Sequence, residues 1–325
     1  MARLSPRCAA VAAAARRALR HPRVRRLALG SVVAALLAAG SAEAVPTPTT
    51  ATAACPTSLV VVAHQDDDLL FINPDVSRDI AAGRCLTTVF VTAGDAGRNR
   101  TYWRGRETGA EAAYAAMAGR PARWATDRLA VGDHTLSRAT LRGTGITLLF
   151  LRLPDGRGYA KHHYETVRKL LRGNIGQIHA IDGSATYTAR SLTDTLTAIM
   201  NIYQPAMIRT LDYIGEYGDG DHGDHHSAAY LTYAAHLAYR TTHRISGYQG
   251  YRIADRPVNL SPEDRDTKLR YFLAYAPHDP RVCQAEPVCM SSIYGPRFAR
   301  RYSVGSEAGG DNARHDPRTE IMPGG

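Results

Sequence analysis

Three stretches of the chain run apolar and β-branched without a polar partner at alternate positions: "SLVVVAH" (58–64), "LTTVFVTAGDAG" (86–97) and "GITLLFLRLPDG" (145–156). Such runs predict strands buried on both faces. A shorter one, "AMIRTLD" (206–212), predicts a fourth. Between and after them the apolar spacing becomes helical. "RGRETGAEAAYAAMAG" (104–119) is Ala-rich and stops at Gly119. In "YTARSLTDTLTAIMNIYQP" (187–205), Leu192, Leu196, Ile199 and Tyr203 share a face and Pro205 ends the helix. "HHSAAYLTYAAHLAYRTT" (225–242) follows Asp224, the expected N-cap, and "SPEDRDTKLRYFLAY" (261–275) opens with Ser and Pro, as first-turn chemistry favours.

Strands alternating with helices predict an α/β fold, a Rossmann-like, largely parallel sheet flanked by helices. Ligands of such sheets bind beyond the carboxyl ends of the strands. Those ends carry His64 with Asp66, Asp67 and Asp68, then Asp95, Asp155 and Asp212. Four acidic strand ends on one rim point to a cation site or an acid–base site.

Composition narrows this. With 325 residues, 44% hydrophobic and 22% charged, the chain has material for a substantial core. The net charge of +10 is concentrated at the start: residues 1–44 hold eight arginines and one acid, and removing them leaves 32 basic and 29 acidic residues, a net of +3. No concentrated basic face is implied, so nucleic acid is not an expected partner. The same 44 residues read as a secretory signal: "RVRR", a 14-residue apolar run (27–40) too short for a comfortable membrane span, then the small-x-small "AEA". A Pro/Thr/Ala linker follows (45–56), the folded domain is expected over 57–304, and 305–325, nearly free of apolar residues, is read as a flexible tail.

Export agrees with the cysteines. Beyond Cys8, four remain, an even number suited to an oxidising compartment. Cys55 and Cys85 each precede a predicted strand, and adjacent parallel strands bring them together; Cys283 and Cys289 bracket "QAEPV". Two disulfides, Cys55–Cys85 and Cys283–Cys289, are predicted.

The second chemical cluster is "GDGDHGDHHSAAY" (218–230), immediately before a helix. Together with "HQDDD" it offers two imidazoles and a carboxylate, a common catalytic zinc set with one position open, plus further carboxylate and imidazole groups for acid–base work. A divalent cation also offsets the mutual repulsion of three consecutive aspartates.

These segments resemble a known family. "AHQDDD" is similar to the AHPDDE motif of the PIG-L/LmbE-like N-acetylglucosamine deacetylases, and "HGDHHSAA" to their HxDH motif; "TAGDAG", "RETGAEAAYAAMAG" and "LRLPDG" resemble internal family segments, over roughly residues 57–275. The resemblance implies a zinc-dependent N-deacetylase acting on an N-acetylated sugar or glycoconjugate. It implies that His64, Asp67 and His225 hold Zn2+, that Asp66 is the general base, and that His222, positioned by Asp224, stabilises the oxyanion or protonates the leaving amine. Asp95, Arg98 and Arg106 fall where the family tends to contact sugar hydroxyls, and Trp103 is a candidate sugar platform or a core cover. Gln65 and Asp68 stand where the family motif has Pro and Glu, which removes backbone rigidity and brings any bond from residue 68 to a ligating histidine closer in. A deacylase of a glycosylated natural product and a non-catalytic carbohydrate-binding protein are the alternatives.

Overall fold

A computed structural model of the chain describes residues 55–156 and 165–311. The signal segment, His162 and His163, and the end of the expected tail lie outside the described residues. Ten strands occur among them: β1 (Thr57–Val62), β2 (Cys85–Thr92), β3 (Trp124–Val131), β4 (His134–Leu141), β5 (Ile146–Leu153), β6 (Ile178–His179), β7 (Thr186–Tyr187), β8 (Met207–Thr210), β9 (His243–Tyr248) and β10 (Ser303–Gly309). The helices that matter below are α1 (Asp75–Ala81), α2 (Arg100–Met117), α3 (Val167–Leu171), α4 (Ala189–Tyr203), α5 (Gly223–Ala238) and α6 (Pro262–Tyr275).

Eight strands form one sheet in the order β10-β9-β8-β1-β2-β5-β4-β3, and β6 and β7 form a separate hairpin. The five central strands, β9, β8, β1, β2 and β5, are parallel; β10 is antiparallel on one edge, and β4 and β3 are antiparallel on the other. The expected α/β sheet is therefore present, with antiparallel margins added. The chain leaves β1 towards β2 and later returns to β1's other side with β8, so a topological switch point lies between β1 and β8.

Alternation along β1 sorts its side chains to two covered faces. Val60 and Val62 join Phe90, Phe150, Tyr114 and Phe272 in a core beneath α2 and α6; Leu59 and Val61 join Val89, Leu149, Leu192 and Leu231 beneath α4 and α5. This double burial is why the strand has no alternating polar positions.

Both predicted disulfides are formed, with Cα–Cα separations of 5.5 Å for Cys55–Cys85 and 5.1 Å for Cys283–Cys289. The domain does not end at residue 304. Residues 303–309 pair with β9 as an edge strand, because an edge needs backbone partners more than apolar side chains. Among the described residues no helix is long and apolar enough to cross a membrane.

Candidate active site

β1 delivers His64 to the rim, and the chain turns at once into a tight helical turn at Asp68–Ile72. The turn folds Asp67 back on the strand end: its Oδ2 accepts the backbone N–H of His64 at 2.7 Å, and its Oδ1 lies 3.4 Å from His64 Nδ1. Gln65, buried, donates from Nε2 to the carbonyl of Thr92 at 3.0 Å. A side-chain tether to β2 thus holds the loop at the position where the family motif has Pro. Asp68 does not reach a histidine. It turns into the core and accepts the hydroxyl of Tyr114 from α2 at 2.6 Å. Burial pushes the Asp68 carboxyl up to about 7; the Tyr114 bond works against the shift and Asp67 adds to it.

The second half comes from the N-terminus of α5. Asp224 is not the cap. His222 is, its Nδ1 accepting the backbone N–H of Asp224 at 3.0 Å. An imidazole that accepts at Nδ1 carries its proton on Nε2 when neutral. Burial, with His64 close by, lowers the His222 pKa to about 4, so the ring is neutral at neutral pH. Its Nε2 lies 3.8 Å from Asp155 Oδ1.

The two halves meet across the switch point. Ligating atoms of His64, His222 and His225 lie within 4.8 Å of one another, as do those of His64, Asp155, His222 and Asp224. All of these side chains are buried. Asp67 belongs to neither set but touches both of its predicted co-ligands, its Oδ1 lying 3.0 Å from His225 Nε2. Nε2 of His64 and Nε2 of His225 have no hydrogen-bond partner, and Oδ1 of Asp224 has none either. Oδ2 of Asp224 accepts the N–H of Gly156 at 2.7 Å and stands 3.4 Å from His64 Nε2. A Cβ at Gly156 would come within 2.6 Å of that carboxylate, so glycine is needed for the close approach.

Electrostatics fit a cation-seeking centre. Burial alone would depress the histidines, but Asp67 and Asp155 hold the His64 imidazole well above its ordinary value, and Asp67 and Asp221 raise His225 to about 9. Asp67 is itself buried, yet the two imidazoles hold its carboxyl well below the usual range. Where protons now compensate these groups, a divalent cation offers the same compensation.

Asp66 belongs to neither ligand set but lies close enough to interact electrostatically with His64 and Asp67. Its carboxylate pairs with the guanidinium of Arg106 on α2. Arg106 is fully committed within the protein. It donates to the Tyr275 hydroxyl at 2.7 Å and the Gly94 carbonyl at 2.7 Å, and it lies 3.1 Å from Asp279. Burial raises the Asp66 pKa, Arg106 opposes the shift, and Asp67 reinforces it. The segment after α6 therefore reaches the rim, a placement the sequence left open.

Of the four residues expected to meet sugar, the structure brings only Arg98 to an open surface. It stacks over Tyr102 at 5.3 Å and lines a cavity of about 780 Å³ with Asn99, Thr101 and His278. Asp95 is buried and accepts the backbone N–H groups of Asp155 and Gly97, both at 2.9 Å, joining the loops after β5 and β2. Trp103 is buried under Arg152, 5.1 Å from its ring, and Arg152 is gripped by Glu107 and Asp182. Arg106 holds Asp66 instead of facing solvent. From the sequence, Pro-Asp-Gly at the end of an apolar run marks Asp155 only as a rim acid; the structure brings it against His64, His222 and Asp224.

A family model described as GlcNAc-PI de-N-acetylase (PIG-L) matches residues 59–236. No curated protein matches the chain by sequence. Among solved structures, it is similar to the deacetylase of the A40926 pseudoaglycone (14% identity, TM-score 0.41, covering 69% of this chain and 81% of that one). It is also similar to N,N'-diacetylchitobiose deacetylase from Pyrococcus horikoshii (13%, 0.45, 78% and 84%) and to 4-carboxy-2-hydroxymuconate hydratase from Pseudomonas putida (14%, 0.39, 80% and 99%).

Proposed function

Because the chain belongs to the PIG-L family of GlcNAc-PI de-N-acetylases, we propose that it is an extracytoplasmic, zinc-dependent hydrolase that removes the N-acetyl or another N-acyl group from an N-acetylglucosamine-type sugar or glycoconjugate. The observation that supports the metal is the convergence of two buried imidazole nitrogens, Nε2 of His64 and Nε2 of His225, on the carboxylates of Asp224 and Asp67 at 3.4 and 3.0 Å without a formed hydrogen bond. A shared divalent cation would take both nitrogen lone pairs and offset the charge of the carboxylates gathered around them. His64, Asp67 and His225 would hold it: two imidazoles and a carboxylate suit zinc and leave a position open. His222 stands outside the donor set because its tautomer presents a proton, not a lone pair.

When bound, zinc supplies Lewis acidity, polarising the acyl carbonyl and making water acidic enough to ionise near neutral pH. The chain's own groups do the rest. Asp66, beside the centre and steadied by Arg106, takes the proton of the attacking water and returns it to the amide nitrogen as the C–N bond breaks and the amine departs. His222 donates from Nε2 to the carbonyl oxygen as negative charge gathers there, and as a neutral donor it needs no acid medium. Asp224 fixes His222 through its backbone N–H and lines the centre with its carboxylate. Arg98 and Tyr102 offer the sugar a guanidinium and an aromatic face in the neighbouring cavity. The two disulfides support an oxidising, extracytoplasmic setting.

The test is acetate release from N-acetylglucosamine glycosides by the mature protein, with zinc content followed through chelation and zinc return. Release that disappears with chelation and comes back with zinc is the expected result. A protein that takes up no zinc, or one that releases no acyl group from N-acetyl and longer-chain substrates, would overturn the reading.

A further inference from the structure

The loop before α5 commits two carboxylates to two consecutive imidazoles, with different results. Asp219 Oδ1 meets Nε2 of His226 at 3.0 Å, and Nδ1 of His226 faces the carbonyl of Asp212 at 3.1 Å. Both nitrogens of His226 are consumed, so that ring is structural. Asp221 Oδ1 meets Nδ1 of His225 at 2.8 Å, and here Nε2 is the nitrogen left over, facing Asp67.

The Asp221 oxygen is itself held in place. It also accepts the backbone N–H of His222 at 2.8 Å and of Tyr251 at 3.1 Å. The side chain is 3% exposed. Any side chain at Gly250 would collide with the same carboxylate, so the backbone after β9 closes over it. Three donors from two segments fix one oxygen. Because that oxygen can only accept, His225 must donate from Nδ1, and its lone pair is confined to Nε2.

We propose that Asp221 is the positioning residue of the metal centre: it selects the tautomer and the ring orientation of His225, so that cation affinity depends on a carboxylate that never touches the cation. Outer carboxylates of this kind raise ligand basicity and fix ring orientation. The inference rests on the reading that His225 is a zinc ligand.

The experiment measures zinc dissociation constants by chelator competition, and the visible spectrum of the cobalt-substituted protein, for wild type, D221A, D221N and D219N. D221A should weaken zinc by about 10- to 100-fold and shift the cobalt bands. D221N keeps an acceptor for Nδ1 but loses the charge, and should fall between D221A and wild type. D219N, which keeps an acceptor but weakens the sister bond to His226 by removing the charge, should melt earlier yet bind zinc as wild type does. D221A that folds with wild-type affinity and spectrum overturns the proposal, as does D219N weakening zinc as much as D221A, which would make loop integrity the cause. If D221A does not fold, D221N decides between the same results. A wild-type protein without zinc affinity removes the metal reading and this inference with it, whereas zinc-binding wild type with unaffected variants removes only the inference.

Discussion

His222 accepts the backbone N–H of Asp224 through Nδ1 at 3.0 Å, so one ring caps α5 with one nitrogen and faces the centre with the other. The two duties separate by substitution. Asparagine is a strong N-cap, and His222→Asn should keep the fold, the melting temperature and zinc while lowering kcat about 100- to 1000-fold through the lost Nε2 donor. His222→Ala should lose about 1 kcal/mol of stability as well. Calorimetry beside kcat measurements checks both; a kcat within a few-fold of wild type in His222→Asn contradicts the donor role.

Asp66→Asn should retain zinc and lose about 10²- to 10⁴-fold in kcat, the usual worth of a positioned base. Arg106→Met should act differently, because it strands the part-buried carboxylate of Asp66 and the buried one of Asp279 without their cation. Breaking a buried pair in this way costs about 3–5 kcal/mol. Urea unfolding of the metal-free variant measures it, and a loss below 1 kcal/mol would show that the pairs contribute little.

Asp68 predicts a pH dependence of the metal-free protein. Its carboxyl titrates near 3.8 when unfolded and is pushed up to about 7 when folded. The folded state binds that proton more tightly, so the contribution is complete below pH 3.8 and is lost as pH climbs to 7. Asp68→Asn has no charge to bury at any pH. It should gain stability over wild type between pH 4 and pH 8, by up to about 4 kcal/mol. A difference between the two that stays constant across that range contradicts the assignment.

Lys268 is fully buried and donates to the carbonyls of Leu70, Arg297 and Arg300 at 2.9, 2.8 and 2.6 Å. It ties the turn after "HQDDD" to the segment before β10. Lys268→Met leaves three carbonyls unpaired and should cost about 3 kcal/mol or more. Acetate release per folded molecule should stay unchanged, since no atom of Lys268 reaches the site.

The sequence carried four of the five parallel strands and the pairing of its two motifs, because double burial writes continuous apolar runs and chemistry writes dense clusters of His and Asp; β9, His-Arg-Ile-Ser-Gly-Tyr, has no such run. The margins were harder. β3 and β4 are half-exposed antiparallel strands whose signal is alternation around a Gly-Asp turn, and β10 is almost without apolar side chains. Side-chain employment was harder still. Asp95, Trp103 and Arg106 lie close in sequence to the rim, but whether such a group faces outward or is consumed by a neighbour depends on partners as distant as Asp155, Arg152 and Tyr275. Asp221 was visible in its cluster; only the turn of α5 and the approach of Tyr251 distinguish it from Asp219.

The Cys283–Cys289 bridge closes a small ring four residues beyond Asp279, and the Gln284 side chain within that ring donates to the Asp279 carbonyl at 3.0 Å. Asp279 grips Arg106, and Arg106 grips Asp66. Dithiothreitol in a storage buffer is therefore expected to be no mere preservative for this protein. Opening that ring should slacken a chain of contacts that ends on the proposed base, so a reduced preparation is expected to keep its secondary structure while its turnover declines.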